Sequence, residues 1–189
     1  MNEGPSDAAV IKPVSLPGAR AFAVSAGFNP EYGKLDPYQM AVNVIDEAVR
    51  NAAAVGANPR RIAILDNFCW GNCAKPDRLG SLVLAAQACH DGALAYGTPF
   101  ISGKDSLNNE FVADDGRVIV IPPTLLISGI AIVPDVTRCL TMDAKAAGNA
   151  LVIVGPTQNA LAGSHYEQVR RQASEAGPAT VADRVATVD

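Results

Sequence analysis

From Asp36 to Ala54 the apolar residues Ala41, Val44, Ile45, Ala48, Val49 and Ala52 recur at steps of three and one. That spacing lines one face of a helix. Asp36-Pro37 opens it as an N-cap with proline at the first helical position, and Gly56 stands where a C-terminal glycine belongs. Asp46, Glu47 and Arg50 fall outside the stripe and read as a solvated face. A second helix is predicted over about 77–96, after Lys75-Pro76 and before Gly97, with Leu79, Leu82, Val83, Ala86, His90, Ala93 and Leu94 on one face. On that reading His90 is a hydrogen-bonded core residue rather than a catalytic base.

The strand pattern surrounds these helices. Polar turn residues lead into a short apolar run at Ala8–Ile11, with Asp7 either at a site rim or in a frayed terminus. Residues 20–28 read as a strand closed by Asn29-Pro30, and the stretch 29–35 as a loop rich in turn formers. Residues 60–65 form a mostly apolar strand that ends at Asp66 and runs into a loop containing Gly71. Asp115-Gly116 marks a hairpin turn, Pro122-Pro123 ends the hairpin, and Thr124–Val133 is a long apolar strand. Asn149–Val154 reads as another buried strand, Gly163–Glu167 as a loop opening a helix, and the chain from Ala173 onward shows no periodic face. The order strand, helix, strand, helix, strand, hairpin, strand predicts an α+β domain with a mixed sheet.

Composition narrows the class. At 189 residues, of which 49% are hydrophobic, the chain is long enough for one good core and has the make-up of a compact cytoplasmic enzyme domain. A net charge of −4 spread along the chain argues against nucleic-acid binding through a basic face. No run approaches the roughly 20 apolar residues of a membrane helix, and without a charged n-region and apolar h-region at the start a secreted product is not expected. Cys69 and Cys73 are close, but Cys89 and Cys139 form no second pair. Four free thiols is therefore the better reading than structural zinc.

Candidate chemistry gathers in Ser102-Gly-Lys-Asp-Ser106. Gly103 permits close backbone approach or positive φ. Lys104 can neutralise a phosphate, Asp105 can hold Mg²⁺, and Ser106 can bind an anion or the metal. Neither GxxxxGK[ST] nor GxGxxG is present. With Asp66 and Gly103 each just past a strand, and the helix between them making a crossover, the two are expected at one sheet edge as a single phosphate-handling site.

Ordered motifs over roughly residues 2–155 resemble the phosphoribosylformylglycinamidine synthase family, specifically the second of its two repeats of the aminoimidazole-ribonucleotide-synthetase type. They are Gly4-Pro-Ser-Asp-Ala-Ala-Val10, Asn29-Pro-x-Tyr-Gly33, Asp36-Pro-Tyr38, Glu47-Ala-x-Arg-Asn51, Ala54-Val-Gly-Ala57, Asp66-Asn67, Gly71-Asn72 with Lys75-Pro76, Gly97-Thr-Pro99, Ser102–Ser106 and Asn109-Glu110. The resemblance implies a PurM-type N-terminal domain over 1–140, a mixed sheet with helices on one face, and over 149–189 the start of a PurM C-terminal-like domain, cut short or folded against the first. It implies an ATP-dependent ligase of purine biosynthesis in which ATP phosphorylates the amide oxygen of formylglycinamide ribonucleotide and ammonia then displaces phosphate.

Residue by residue, the resemblance implies nucleotide contacts at Asp66 and Gly103 and a substrate or nucleotide phosphate contact at Ser106 beside Lys104. The position after that glycine binds Mg²⁺ in members where it is Asn; here it is Lys104, which moves any metal role to Asp105. The family's catalytic histidine belongs to the first repeat, and no residue here matches it. The resemblance thus implies a fragment inactive alone, completed by a first repeat and a glutaminase part. Two rival readings remain. One is a selenophosphate-synthetase or thiamine-monophosphate-kinase type domain, against which the loop Cys69–Pro76 speaks. The other is a degenerate repeat holding a structural nucleotide and serving as half of a dimer. The resemblance also implies sheets that pair across a pseudo-twofold axis, so a lone domain would expose an apolar sheet edge and is expected to form a homodimer.

Overall fold

The computed structural model describes residues 6–173 and 187–188; Gly4-Pro5 of the first motif and most of the chain after Ala173 lie outside them. Strand β1 (Ala9–Ile11) and β2 (Ala21–Phe28) lead into a one-turn helix α1 (Pro30–Gly33) and a long helix α2 (Pro37–Ala54). Then come β3 (Ile62–Cys69), α3 (Pro76–Tyr96) and β4 (Phe100–Ser106). A hairpin of β5 (Glu110–Val112) and β6 (Val118–Val120), the strand β7 (Thr124–Val133), a 3-10 turn at Val136–Arg138 and a short helix α4 (His165–Ala173) follow among the described residues.

The main sheet runs β1-β2-β7-β3-β4, antiparallel throughout except for the parallel pair β3–β4. This is the expected mixed α+β sheet, and α3 is the crossover that makes β3 and β4 parallel. Alternate residues of β2, β3 and β7, among them Ala23, Ile64, Leu125 and Ile127, turn to one face and join α2 and α3 in the core. The opposite face carries Val24, Phe28 and Ile130, all exposed. Among the described residues, helices thus cover one side only.

Helix α2 follows its sequence pattern. Asp36 caps it by accepting the Gln39 N–H at 3.0 Å, and all six stripe residues are buried together with Met40. It lies so close to β2 that a Cβ at Gly27 would fall 1.9 Å from the Val44 carbonyl oxygen. The predicted solvated face needs correction at Asp46, which accepts hydrogen bonds from Tyr96 and Arg50. The turn-rich loop after β2 contains the one-turn helix α1, because Asn29-Pro30 repeats the cap-plus-proline signature and Asn29 accepts the Tyr32 N–H.

Helix α3 has the expected extent and a different buried face. Ala85, Ala88, Cys89 and Gly92 turn inward, while Leu79, Val83, His90 and Leu94 of the predicted stripe are exposed. The reason is steric: small residues let α3 pack closely on α2, where a Cβ at Gly92 would come 2.9 Å from Ile45 Cδ1. His90 is accordingly a surface residue, its Nδ1 2.9 Å from Asp91 Oδ1.

The predicted strand at 149–154 is also corrected. These residues form no strand, and Leu151, Val152, Ile153 and Val154 are 77–98% exposed. Apolar β-branched residues favour a strand only when a partner supplies the ladder, and among the described residues none pairs here. The predicted helix after Gly163 is α4, with Ser164 Oγ accepting the Glu167 N–H and Glu167 accepting the Gly163 N–H.

Candidate functional site

Strands β3 and β4 pair in parallel register from Asp66↔Gly103 to Cys69↔Ser106. Asp66 and Gly103 therefore sit inside strands and not just past them, since the ladder continues for three further residue pairs. The polar side chains do not stop the strand because backbone pairing is indifferent to them. The crossover does bring Asp66 and the 103–106 run together, as expected.

Strand alternation then divides them. Asp66, Gly103 and Asp105 share the helix-facing side, on which the Asp105 charge acts on Asp66. Lys104 and Ser106 share the open side, where Lys104 Nζ donates to Ser106 Oγ. The single phosphate-handling site expected at this edge is thus divided: carboxylates lie on one face, ammonium and hydroxyl on the other. Both meet at an open border, because β4 is the last strand of the sheet.

Gly103 serves by close approach. A Cβ there would lie 2.4 Å from Asp66 Oδ1, so glycine is what lets the carboxylate lie across the neighbouring strand. The Lys104 backbone N–H donates to the same oxygen at 3.3 Å. Burial pushes the Asp66 carboxyl above its ordinary value; the Lys104 N–H works in the opposite sense and Asp105 adds to the rise. Cys89 of α3, buried and near Asp66, has its thiol pushed up to about 12.

The end of β4 is stitched to the loop after β3. Trp70 N–H donates to the Ser106 carbonyl at 2.8 Å, Asn109 N–H to the Trp70 carbonyl at 2.8 Å and Cys73 N–H to the Leu107 carbonyl at 3.1 Å. Glu110 closes the stitch, accepting the Asn72 N–H at 3.2 Å and the Arg78 guanidinium, with Lys75 3.7 Å away. The Asn72 N–H and Arg78 hold the Glu110 carboxyl below its usual range. Trp70 is buried and donates to Ser81 of α3 at 2.9 Å. This clasp fixes the backbone under Ser106.

The open-side pair Lys104 and Ser106 does not fit a divalent metal, while Asp66 and Asp105 share the other side. Asp105 and Ser106 point to opposite faces, Lys104 occupies the Ser106 hydroxyl, and among the described residues no three His, Cys, Asp or Glu side chains gather as ligands. Sequence reasoning also passed over a cleft of about 610 Å³ between α1 and α2, whose rim includes Glu31, Glu47, Arg50, Asn51 and His165. Glu47 accepts the Phe28 N–H at 2.8 Å and Asn51 donates to the Ala26 carbonyl at 2.9 Å. The signal lay in the polar i, i+4 pair at Glu47 and Asn51.

Residues 5–132 match the family described as AIR synthase related protein, N-terminal domain. The chain belongs to the AIR synthase related family. Within it, this domain is 38% identical over 147 residues to the phosphoribosylformylglycinamidine synthase subunit PurL of Methanococcus aeolicus, covering 78% of the chain and 19% of that protein. The corresponding subunit of Deinococcus radiodurans is 38% identical over 152 residues, covering 80% and 20%. The chain spans about a fifth of the length of the curated relatives it matches. Among solved structures, Thermotoga maritima PurLQS superposes with a TM-score of 0.61 at 22% identity over 72% of this chain and 21% of that one. PurL of the same organism complexed with ATP gives 0.60 at 22% identity, over 73% and 22%. Complexed with FGAR it gives 0.58 at 22% identity, over 70% and 20%. At these identities the likeness carries the fold, a PurL-like AIR synthase related sheet with its helices.

Proposed function

We propose that this chain is the AIR synthase related N-domain of a second PurL repeat and contributes ATP and substrate-phosphate contacts to formylglycinamidine ribonucleotide synthesis. The observation that carries this reading is the pairing of Asp66 with Gly103, with Ser106 held three residues on by the Trp70–Glu110 clasp. The PurL names of the relatives support the reaction class, as do the ATP and FGAR complexes of T. maritima PurL.

In that reaction the amide oxygen of formylglycinamide ribonucleotide takes the γ-phosphoryl group and ADP leaves. Ammonia then adds to the activated carbon and phosphate departs, giving the amidine. Asp66 and the Gly103 main chain would position the nucleotide, while Ser106 and Lys104 would hold a phosphate by charge-assisted hydrogen bonds. No proton-transfer role falls on these residues. The chain is inactive by itself on this reading, and its setting is the cytoplasm. Its partners are a first repeat and a glutaminase part; the open sheet face makes a homodimer the form of the isolated chain. Residues 1–140 are the N-domain, and 149–189 begin a second.

Equilibrium binding of ATP and of formylglycinamide ribonucleotide to the chain tests this. Binding that weakens about 10- to 150-fold in Ser106→Ala, the loss expected for one charged hydrogen bond, is the supporting result. A folded chain that takes neither ligand at millimolar concentration sinks it.

A further inference from the structure

On the open side of β4, Lys104 and Ser106 are two residues apart and therefore on the same face, with Lys104 Nζ donating to Ser106 Oγ. The ammonium has three donors, and this contact uses one. The hydroxyl below it is held by a fixed backbone: Ser106 accepts the Trp70 N–H at 2.8 Å and the Asn109 side-chain amide at 3.5 Å through its carbonyl. The carboxylates that would have to bring a divalent ion here, Asp66 and Asp105, belong to the other face. A metal at Ser106 would also meet the lysine charge, and like charges repel at contact distance.

We propose that Lys104 is a built-in counter-cation, so that a phosphate group docks at Lys104 and Ser106 without a divalent metal. The inference rests on the reading of Ser106 as a phosphate contact and adds which cation neutralises that phosphate. A fixed ammonium favours the more highly charged, metal-free form of a polyphosphate. Metal-free ATP, as the more anionic species, is the better ligand for such a site.

Calorimetric titration of the chain with ATP, once in EDTA and once in millimolar Mg²⁺, distinguishes the possibilities. The expected result is binding in EDTA at least as tight as in Mg²⁺, and a loss of about 10- to 150-fold in EDTA for Lys104→Met. Lys104→Asn, which replaces the ammonium with a neutral oxygen donor, is expected to bind appreciably only when Mg²⁺ is present. Position 104 is exposed, so these variants keep the parent's melting temperature; Lys104→Gln serves as a second neutral variant. Parent binding that demands Mg²⁺, or Lys104→Met and Lys104→Gln that bind metal-free ATP like the parent, overturns the counter-cation and leaves the nucleotide reading standing. A parent that binds ATP in neither condition also overturns the counter-cation, and one that takes no formylglycinamide ribonucleotide either overturns both.

Discussion

A carboxylate pressed against a neighbouring strand is a poor place for a negative charge, and Asp66 is such a carboxylate. Its folded-state pKa stands above the ordinary 3.8, first because of burial. The stability it contributes is therefore complete below 3.8 and is lost as pH rises through the raised folded value, so at neutral pH the charge is a net cost. Asp66→Asn keeps an oxygen for the Lys104 N–H and removes the charge. It is expected to raise the melting temperature at neutral pH and to give no advantage below 3.8. A variant that melts lower than the parent at neutral pH would contradict this. Sites that hold such a strained acid commonly do so for function. His90 offers the contrast. Its side chain is 72% exposed, and His90→Gln should shift stability by no more than about 0.5 kcal/mol in denaturant titration.

At the scale of elements, two glycines decide how close the helices come. Gly27→Ala would drive a methyl group into the Val44 carbonyl at 1.9 Å, an obstacle of rigid backbone, and is expected to cost about 3 kcal/mol or more. Gly92→Ala meets only the tip of Ile45 at 2.9 Å. Alanine is also worth about 1 kcal/mol over glycine within a helix, so the net change should be near zero. Urea titrations of both variants check the ranking, and equal losses would contradict it. These contacts also mark what was legible in the sequence. The buried face of α2 could be read because its inward residues are its larger apolar ones. Helix α3 misled because its inward residues are Ala, Cys and Gly, while Leu79, Val83 and Leu94 face out; periodicity reports where apolar residues recur and not which neighbour they meet. Asp66 and the 103–106 run could be placed together because a right-handed crossover leaves little choice. The split across two faces could not, since it depends on a ladder register that only pairing defines.

For the whole molecule, the open sheet face is a flat exposed apolar surface. Val24, Phe28 and Ile130 are 39–52% exposed there, beside half-buried Leu126 and Ile132. Proximity of such residues on one flat face predicts self-association. Analytical ultracentrifugation should find a dimer at tens of micromolar, and Ile130→Lys should return it to monomer with little change in melting temperature. A parent that sediments as a monomer throughout would remove the dimer proposal.

The strand order carries a consequence for synthesis. Strand β2 pairs with β7, Ala21 opposite Val133, whereas β3 finds β4 through a single intervening helix. On a ribosome, β1 can pair with β2 and β3, α3 and β4 can meet early, while the second edge of β2 must wait for nearly the whole domain to emerge. Closing so long a loop is slow relative to local pairing. Until Val133 is clear of the exit tunnel, β2 has β1 on one edge and α2 on its face, while its other edge and the part of α2 that β7 covers stand open. That open edge is what a holding chaperone would cover, and a message stalled before β7 is expected to yield a product for proteolysis rather than a smaller fold.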